Sequence, residues 1–131
     1  MDSAPVLDTD ILIDYLRGKG PGADLLKKLG RRGYVLTAIS AFELALGASH
    51  HRDPAPVRAL LSAPALALTP RAGLRGGEIL ASLRQRGTGI DIRDALQAGI
   101  CLDAGRPLVT RNSRHFDRVP GLASVAPQDW D

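Results

Sequence analysis

Pro5-Val6-Leu7-Asp8-Thr9-Asp10-Ile11-Leu12-Ile13-Asp14-Tyr15-Leu16-Arg17-Gly18 changes period in its middle. Pro5-Val6-Leu7 is a short apolar run of the strand type. From Thr9 to Arg17 the pattern turns helical, with Ile11, Leu12, Tyr15 and Leu16 on one face. Gly18-Lys19-Gly20-Pro21-Gly22 stops this helix. The rest of the chain repeats the alternation. Helices are expected over Ala23–Arg32, from Ser40 to Ser49, from Asp53-Pro54 to Ser62, from Thr69-Pro70 to Arg86, and over Ile92–Ala104 between an Asp91 cap and a Gly105 stop. Strands are expected at Tyr34–Thr37, Leu66–Leu68, Leu108–Thr110 and Ala123–Ala126, with at most one helical turn at Ser113–Phe116. Strands separated by helices make βαβ units and a mainly parallel sheet. The expected architecture is α/β, a single domain over residues 1–131, with a central sheet between helices on both faces.

Composition narrows the function classes. The 131 residues suit one domain. Hydrophobic residues at 44% and charged residues at 24% describe a globular chain rather than a disordered one. The lone cysteine, Cys101, excludes an internal disulfide and a cysteine-based zinc site, and fits a reducing, cytoplasmic location. No apolar run reaches the ~18 residues of a membrane span, and the first residues lack a signal-peptide pattern. A net charge of +3 leans toward polyanions. Aromatic residues at 4% argue against a base-stacking platform.

In an open α/β sheet, ligands bind beyond the carboxyl ends of the strands. Asp8 follows the first apolar run. Glu43 lies one step beyond Tyr34–Thr37. Arg111 and Asn112 follow Leu108–Thr110, and Asp94 stands in the first turn of the preceding helix. Carboxylates ~5 Å apart repel by roughly 3 kcal/mol per pair at an effective dielectric of ~20. Such a cluster raises its pKa values or binds a cation. Oxygen ligands favour Mg²⁺ or Mn²⁺, ions suited to attack of water on a phosphodiester. Each residue also has a local explanation. Asp8 can cap the helix at Thr9. Ser40-Ala41-Phe42-Glu43 fits a capping box. Asp94 suits the helix dipole, and Asn112 suits a turn.

Together these segments resemble a PIN-domain protein of the VapC toxin type. The carrying stretches are Val6–Gly18, Ser40-Ala41-Phe42-Glu43-Leu44, Ile90–Ala104, and Leu108-Val109-Thr110-Arg111-Asn112-Ser113-Arg114-His115-Phe116. The resemblance implies a PIN-like three-layer sandwich and a magnesium-dependent endoribonuclease, the toxin of a type II toxin–antitoxin pair. It further implies a homodimer and a small DNA-binding antitoxin as partners, with RNA as substrate. Asp8, Glu43 and Asp94 match the family's first three acidic positions. Asp8 and Asp94 would be the main metal ligands, with Glu43 as a ligand through water or as the base. The fourth position falls on Asn112, where many relatives carry Asp; Asp117 in the following turn is the alternative source of charge.

Thr9 and Thr110 could support the site by bonding a carboxylate or phosphate. Asp10 lies close enough to Asp8 to matter. Asp14 is expected on a solvated face, paired with Arg17. Arg93, Arg106, Arg111, Arg114, His115 and Arg118 are expected to form a basic rim, with Arg111 and Arg114 the phosphate contacts. His50 and His51 read as exposed and Cys101 as core. Two rival functions compete with the nuclease. One is a non-catalytic RNA- or protein-binding relative. The other is a haloacid-dehalogenase-like phosphatase suggested by Asp8-Thr9-Asp10, which would need a downstream lysine; the lysines here, Lys19, Lys27 and Lys28, are all early.

Overall fold

The structure is a computed structural model that describes residues 4–131. Five short parallel strands lead the described chain through two bonded groups. Strand β1 (Val6–Leu7) pairs with β4 (Leu108–Val109), which pairs with β5 (Ser124–Val125). Strand β2 (Leu36–Thr37) pairs with β3 (Ala65–Leu66). A bridge between Val6 and Val35 joins the groups, with Leu7 N donating to Val35 O at 3.0 Å and Val35 N to Pro5 O at 2.8 Å. The strand order across the whole surface is therefore β3-β2-β1-β4-β5.

Helices fill the connections: α1 (Thr9–Arg17), α2 (Pro21–Leu29), α3 (Ala38–Ala48), α4 (Ala55–Leu61), α5 (Pro70–Gln85), α6 (Ile92–Ala104) and α7 (Ser113–Phe116). Successive strand residues point to opposite faces, and the core divides accordingly. Leu7, Leu36 and Val109 join Ile11, Leu12, Leu25, Leu44 and Leu60 on one face. Val6, Val35 and Leu108 join Ile79, Leu83, Ala98, Cys101 and Phe116 on the other. Every central strand is thus buried twice, and three layers result.

Local chemistry moved several boundaries. Helix α2 starts at Pro21 rather than Ala23, because Gly20 takes φ 93° and Pro21 enters the first turn with its φ already set. It ends at Leu29, and Gly30–Arg32 form a 3-10 turn. Helix α3 opens at Ala38, not Ser40. Thr37 is the extended cap residue, and its Oγ1 accepts from Ser40 N at 3.1 Å. The capping-box reading of Ser40 and Glu43 is thereby corrected. Asp91 occupies the cap position of α6 but makes no side-chain capping bond. The third strand is Ala65–Leu66 rather than Leu66–Leu68.

Helix α6 carries Arg93, Asp94 and Gln97, and its placement depends on two glycines. A Cβ on Gly99 would stand 2.3 Å from Ala72 O, and one on Gly76 would stand 2.8 Å from Ala95 O. Only glycine lets α5 and α6 approach this closely. Gly105, at φ 67°, ends α6 in the left-handed conformation.

Candidate active site

A polar cleft of about 290 Å³ opens at the carboxyl end of β1 and β4. Asp8, Thr9, Asp10, Ile13, Glu43, Asp91, Arg93, Asp94, Asn112 and His115 line it. Asp8 is the first residue after β1 and the cap of α1, where its Oδ1 accepts from Thr9 N at 2.9 Å. Glu43 projects from α3, and Asp94 from the first turn of α6.

The three acids meet on a residue that the basic-rim expectation had placed outside them. Arg93 NH2 lies 2.7 Å from Asp8 Oδ1 and 2.7 Å from Glu43 Oε1. Its NH1 lies 2.8 Å from Asp94 Oδ1, and its Nε donates to both Glu43 oxygens at 3.0 and 3.1 Å. Asp8 and Asp94 are almost fully buried, and the Arg93 side chain is 28% exposed. Burial pushes the Glu43 carboxyl up, but hydrogen bonds from Arg93 and Thr9 and the guanidinium charge outweigh it and hold it below the ordinary carboxylate value.

A buried polar network holds Asp8 from two sides. Thr110 Oγ1 donates to Asp8 Oδ2 at 2.8 Å. Gln97 Nε2 lies 3.0 Å from Asp8 Oδ1 and 3.2 Å from Ser40 Oγ, while Gln97 Oε1 accepts from Thr37 Oγ1. Thr9 Oγ1 sits 2.6 Å from Glu43 Oε1 and 2.9 Å from Ser40 Oγ, and accepts from Arg93 NH2. Neither Gln97 nor Thr37 stands out in the sequence pattern. The available signal was Gln97 itself, a polar residue three positions after Asp94 on a helical face shared with Ala98 and Cys101.

Asp10 carries a different strain. Burial, and then the neighbouring Asp8 charge, push its carboxyl up to about 6, against the Arg111 N–H that donates to Oδ2 at 3.1 Å. Its Oδ1 is buried with no hydrogen-bond partner.

Other expected residues fall elsewhere. Asp14 is buried, not solvated, and does not pair with Arg17. It accepts from Gly22 N at 2.9 Å and from Arg111 NH1 at 2.6 Å. Arg111 is therefore committed to a structural pair. Arg106 and Arg118 donate to the carbonyls of Ala4 and Gly89. Arg114 stays exposed beside Asn112. Asn112 Nδ2 lies 3.0 Å from His115 Nδ1, and that nitrogen is 3.9 Å from Asp94 Oδ2. Asp117 accepts from Ser124 Oγ at 2.7 Å and does not line the cleft. No lysine lines it either, which removes the support for a dehalogenase-type phosphatase.

The donor set fits a hard cation. Asp8, Glu43 and Asp94 supply only carboxylate oxygens, and all three already turn to one positive group. Three negative charges against one positive leave an excess that a divalent ion would neutralise better. Among the described residues, no three acids, histidines or cysteines are gathered tightly enough to ligate one ion as they stand; the guanidinium lies between the acids.

Beside this cleft runs a more apolar groove of about 370 Å³ between α1, α3 and α4, lined by Ile13, Leu16, Leu44 and Val57 and reaching Thr9 and Glu43. Phe42 and Leu46, one turn apart on α3, are 66% and 61% exposed.

The family model for the PIN domain matches residues 6–122. Ribonuclease VapC19 of Mycobacterium tuberculosis is 33% identical over 120 residues, covering 89% of this chain and 95% of that protein. The tRNA(fMet)-specific endonuclease VapC of Salmonella typhimurium is 28% identical over 130 residues, covering 95% and 96%. The crystal structure of VapBC2 from Rickettsia felis, bound to a DNA fragment from its promoter, superposes with a TM-score of 0.77 at 22% identity, covering 98% of this chain and 99% of that one.

Proposed function

Because the chain belongs to the PIN-domain family, we propose that it is a divalent-metal-dependent endoribonuclease, acting in the cytoplasm as the toxin of a toxin–antitoxin pair. The observation that carries this reading is the meeting of Asp8, Glu43 and Asp94, from three distant stretches of sequence, on a single cation. The ribonuclease names of the curated relatives support it.

Asp8 and Asp94 would hold Mg²⁺ or Mn²⁺, with Glu43 at the mouth. A bound divalent ion supplies charge neutralisation at the phosphate and a more acidic water. The protein's own groups do the rest. Thr110 and Gln97 fix the Asp8 carboxylate in one orientation. Glu43, whose side chain is 32% exposed at the cleft, can accept a proton from an attacking water. Asn112 lines the cleft at the fourth position and can orient a water or phosphate through its amide, a role that needs no extra charge. Arg114, exposed two residues after Asn112 in the sequence, would be the RNA phosphate contact.

An antitoxin peptide is the partner that suits the apolar groove beside Glu43, since a segment laid there would cover the cleft mouth. A second copy of the chain is supported by the exposed Phe42 and Leu46. A non-catalytic RNA-binding role is the second reading, favoured by the position of Arg93 among the acids.

Cleavage of a single-stranded RNA in Mg²⁺ separates the two. We expect cleavage by the wild type, its loss in EDTA, and a fall of at least ~100-fold in Asp8→Asn assayed at a temperature where its circular dichroism shows it folded. RNA binding without cleavage in any divalent metal would establish the second reading instead.

A further inference from the structure

Arg93 neighbours Asp94 in sequence and stands on the same turn of α6, so its place among the acids does not depend on any distant segment closing over it. All three guanidinium nitrogens are engaged: Nε with Glu43, NH1 with Asp94, and NH2 with Asp8, Thr9 and Glu43. Asp8 Oδ1, Glu43 Oε1 and Asp94 Oδ1, one oxygen from each acid lining the cleft, are each bonded to Arg93. Yet the side chain is 28% exposed, against 8% or less for Asp8 and Asp94, so the guanidinium arm already meets solvent while the two aspartates hardly do.

We infer that Arg93 is a built-in counter-ion which competes with a divalent cation for Asp8, Glu43 and Asp94, so that metal binds only as the guanidinium swings out of the cleft. The inference rests on the proposal that these acids form a metal site. Its physical basis is charge. With Arg93 in place, the acids are gathered and their mutual repulsion is relieved. With Arg93 gone, three like charges face one another in a partly buried cleft and attract any hard cation. The guanidinium and the ion cannot both hold the same oxygens.

The test is calorimetric titration of Mn²⁺ into the full chain, as wild type, Arg93→Gln and Asp8→Asn, without RNA. We expect Arg93→Gln to bind Mn²⁺ at least ~10-fold more tightly than wild type. We also expect Arg93→Gln to lose thermal stability without metal and regain it with Mn²⁺, and Asp8→Asn to bind weakly. Equal or weaker binding by Arg93→Gln, with wild type binding normally, would overturn the competition and leave the metal site standing. Absence of Mn²⁺ binding in both would overturn the metal site itself. Should Arg93→Gln fail to fold, the wild type answers alone through the Arg93 Nε–H NMR signal during Mg²⁺ titration. That signal must move with the same midpoint as the Asp8 and Asp94 amides. A signal unmoved while those amides shift overturns the competition.

Discussion

Gln97 Nε2 lies 3.0 Å from Asp8 Oδ1, across 89 residues of sequence and with both side chains buried. One amide thus ties α6 to the end of β1, and through Thr37 to the end of β2. Replacing Gln97 by Leu leaves the Thr37 hydroxyl without its acceptor and frees one side of Asp8. We expect a stability loss of about 1–3 kcal/mol in urea unfolding, from buried polar groups left unpaired, together with reduced RNA cleavage at saturating Mg²⁺. An unchanged midpoint would contradict the role given to Gln97.

Gly99 sets the distance between α5 and α6. Since a Cβ there would meet Ala72 O at 2.3 Å, Gly99→Ala must push the helices apart. Overpacking of this kind costs about 1–3 kcal/mol, more than the helix propensity gained by removing a glycine, roughly 1 kcal/mol. The variant should melt at a lower temperature than wild type, whereas Gly73→Ala, where a Cβ meets nothing within 4 Å, should not. A stabilised Gly99→Ala would show that the crossing is not tight.

Arg111 and Arg114 stand three residues apart and are expected to behave differently. Arg111 is paired at 2.6 Å with the buried Asp14, so Arg111→Ala should lower stability, by leaving an uncompensated buried charge. Arg114 is exposed, so Arg114→Ala should leave the thermal midpoint alone, weaken RNA binding and reduce the slope of log affinity against log salt by up to about 1. Swapped phenotypes would refute both assignments.

Cys101 is fully buried on α6, and burial pushes its thiol up to about 12. The thiolate is the reactive form, so almost none is present at pH 8 in the folded chain. A thiol reagent should modify the native protein only on unfolding, with the rate rising steeply in denaturant. Rapid stoichiometric labelling of the native state would contradict the burial.

The fold was readable because its signals are local. Apolar runs, Thr69-Pro70 and Gly105 each act within a few residues, and the βα alternation follows from them. The acids were legible for a related reason: Asp8 and Glu43 follow strand-like runs and Asp94 opens a helix, so a parallel sheet brings their ends to one edge. What the sequence did not disclose depends on distances between elements. Asp14 looked solvated because its partners, Gly22 and Arg111, are joined to it only by the fold. Arg93 looked like a rim charge because nothing in a helical pattern says which way its long side chain turns. Ser40 looked like a cap because the choice between Thr37 and Ser40 is made by the backbone at Thr37, extended at φ −118° and ψ 166°.

Asp8, Glu43 and Asp94 are expected to close on one hard cation. Anomalous diffraction from crystals grown in saturating Mn²⁺ would locate that ion. We predict a manganese peak at ligand distance from the Asp8 and Asp94 carboxylates, with the Arg93 guanidinium displaced from between them. Arg93 still bonded to all three acids, with manganese elsewhere or absent, would contradict the account.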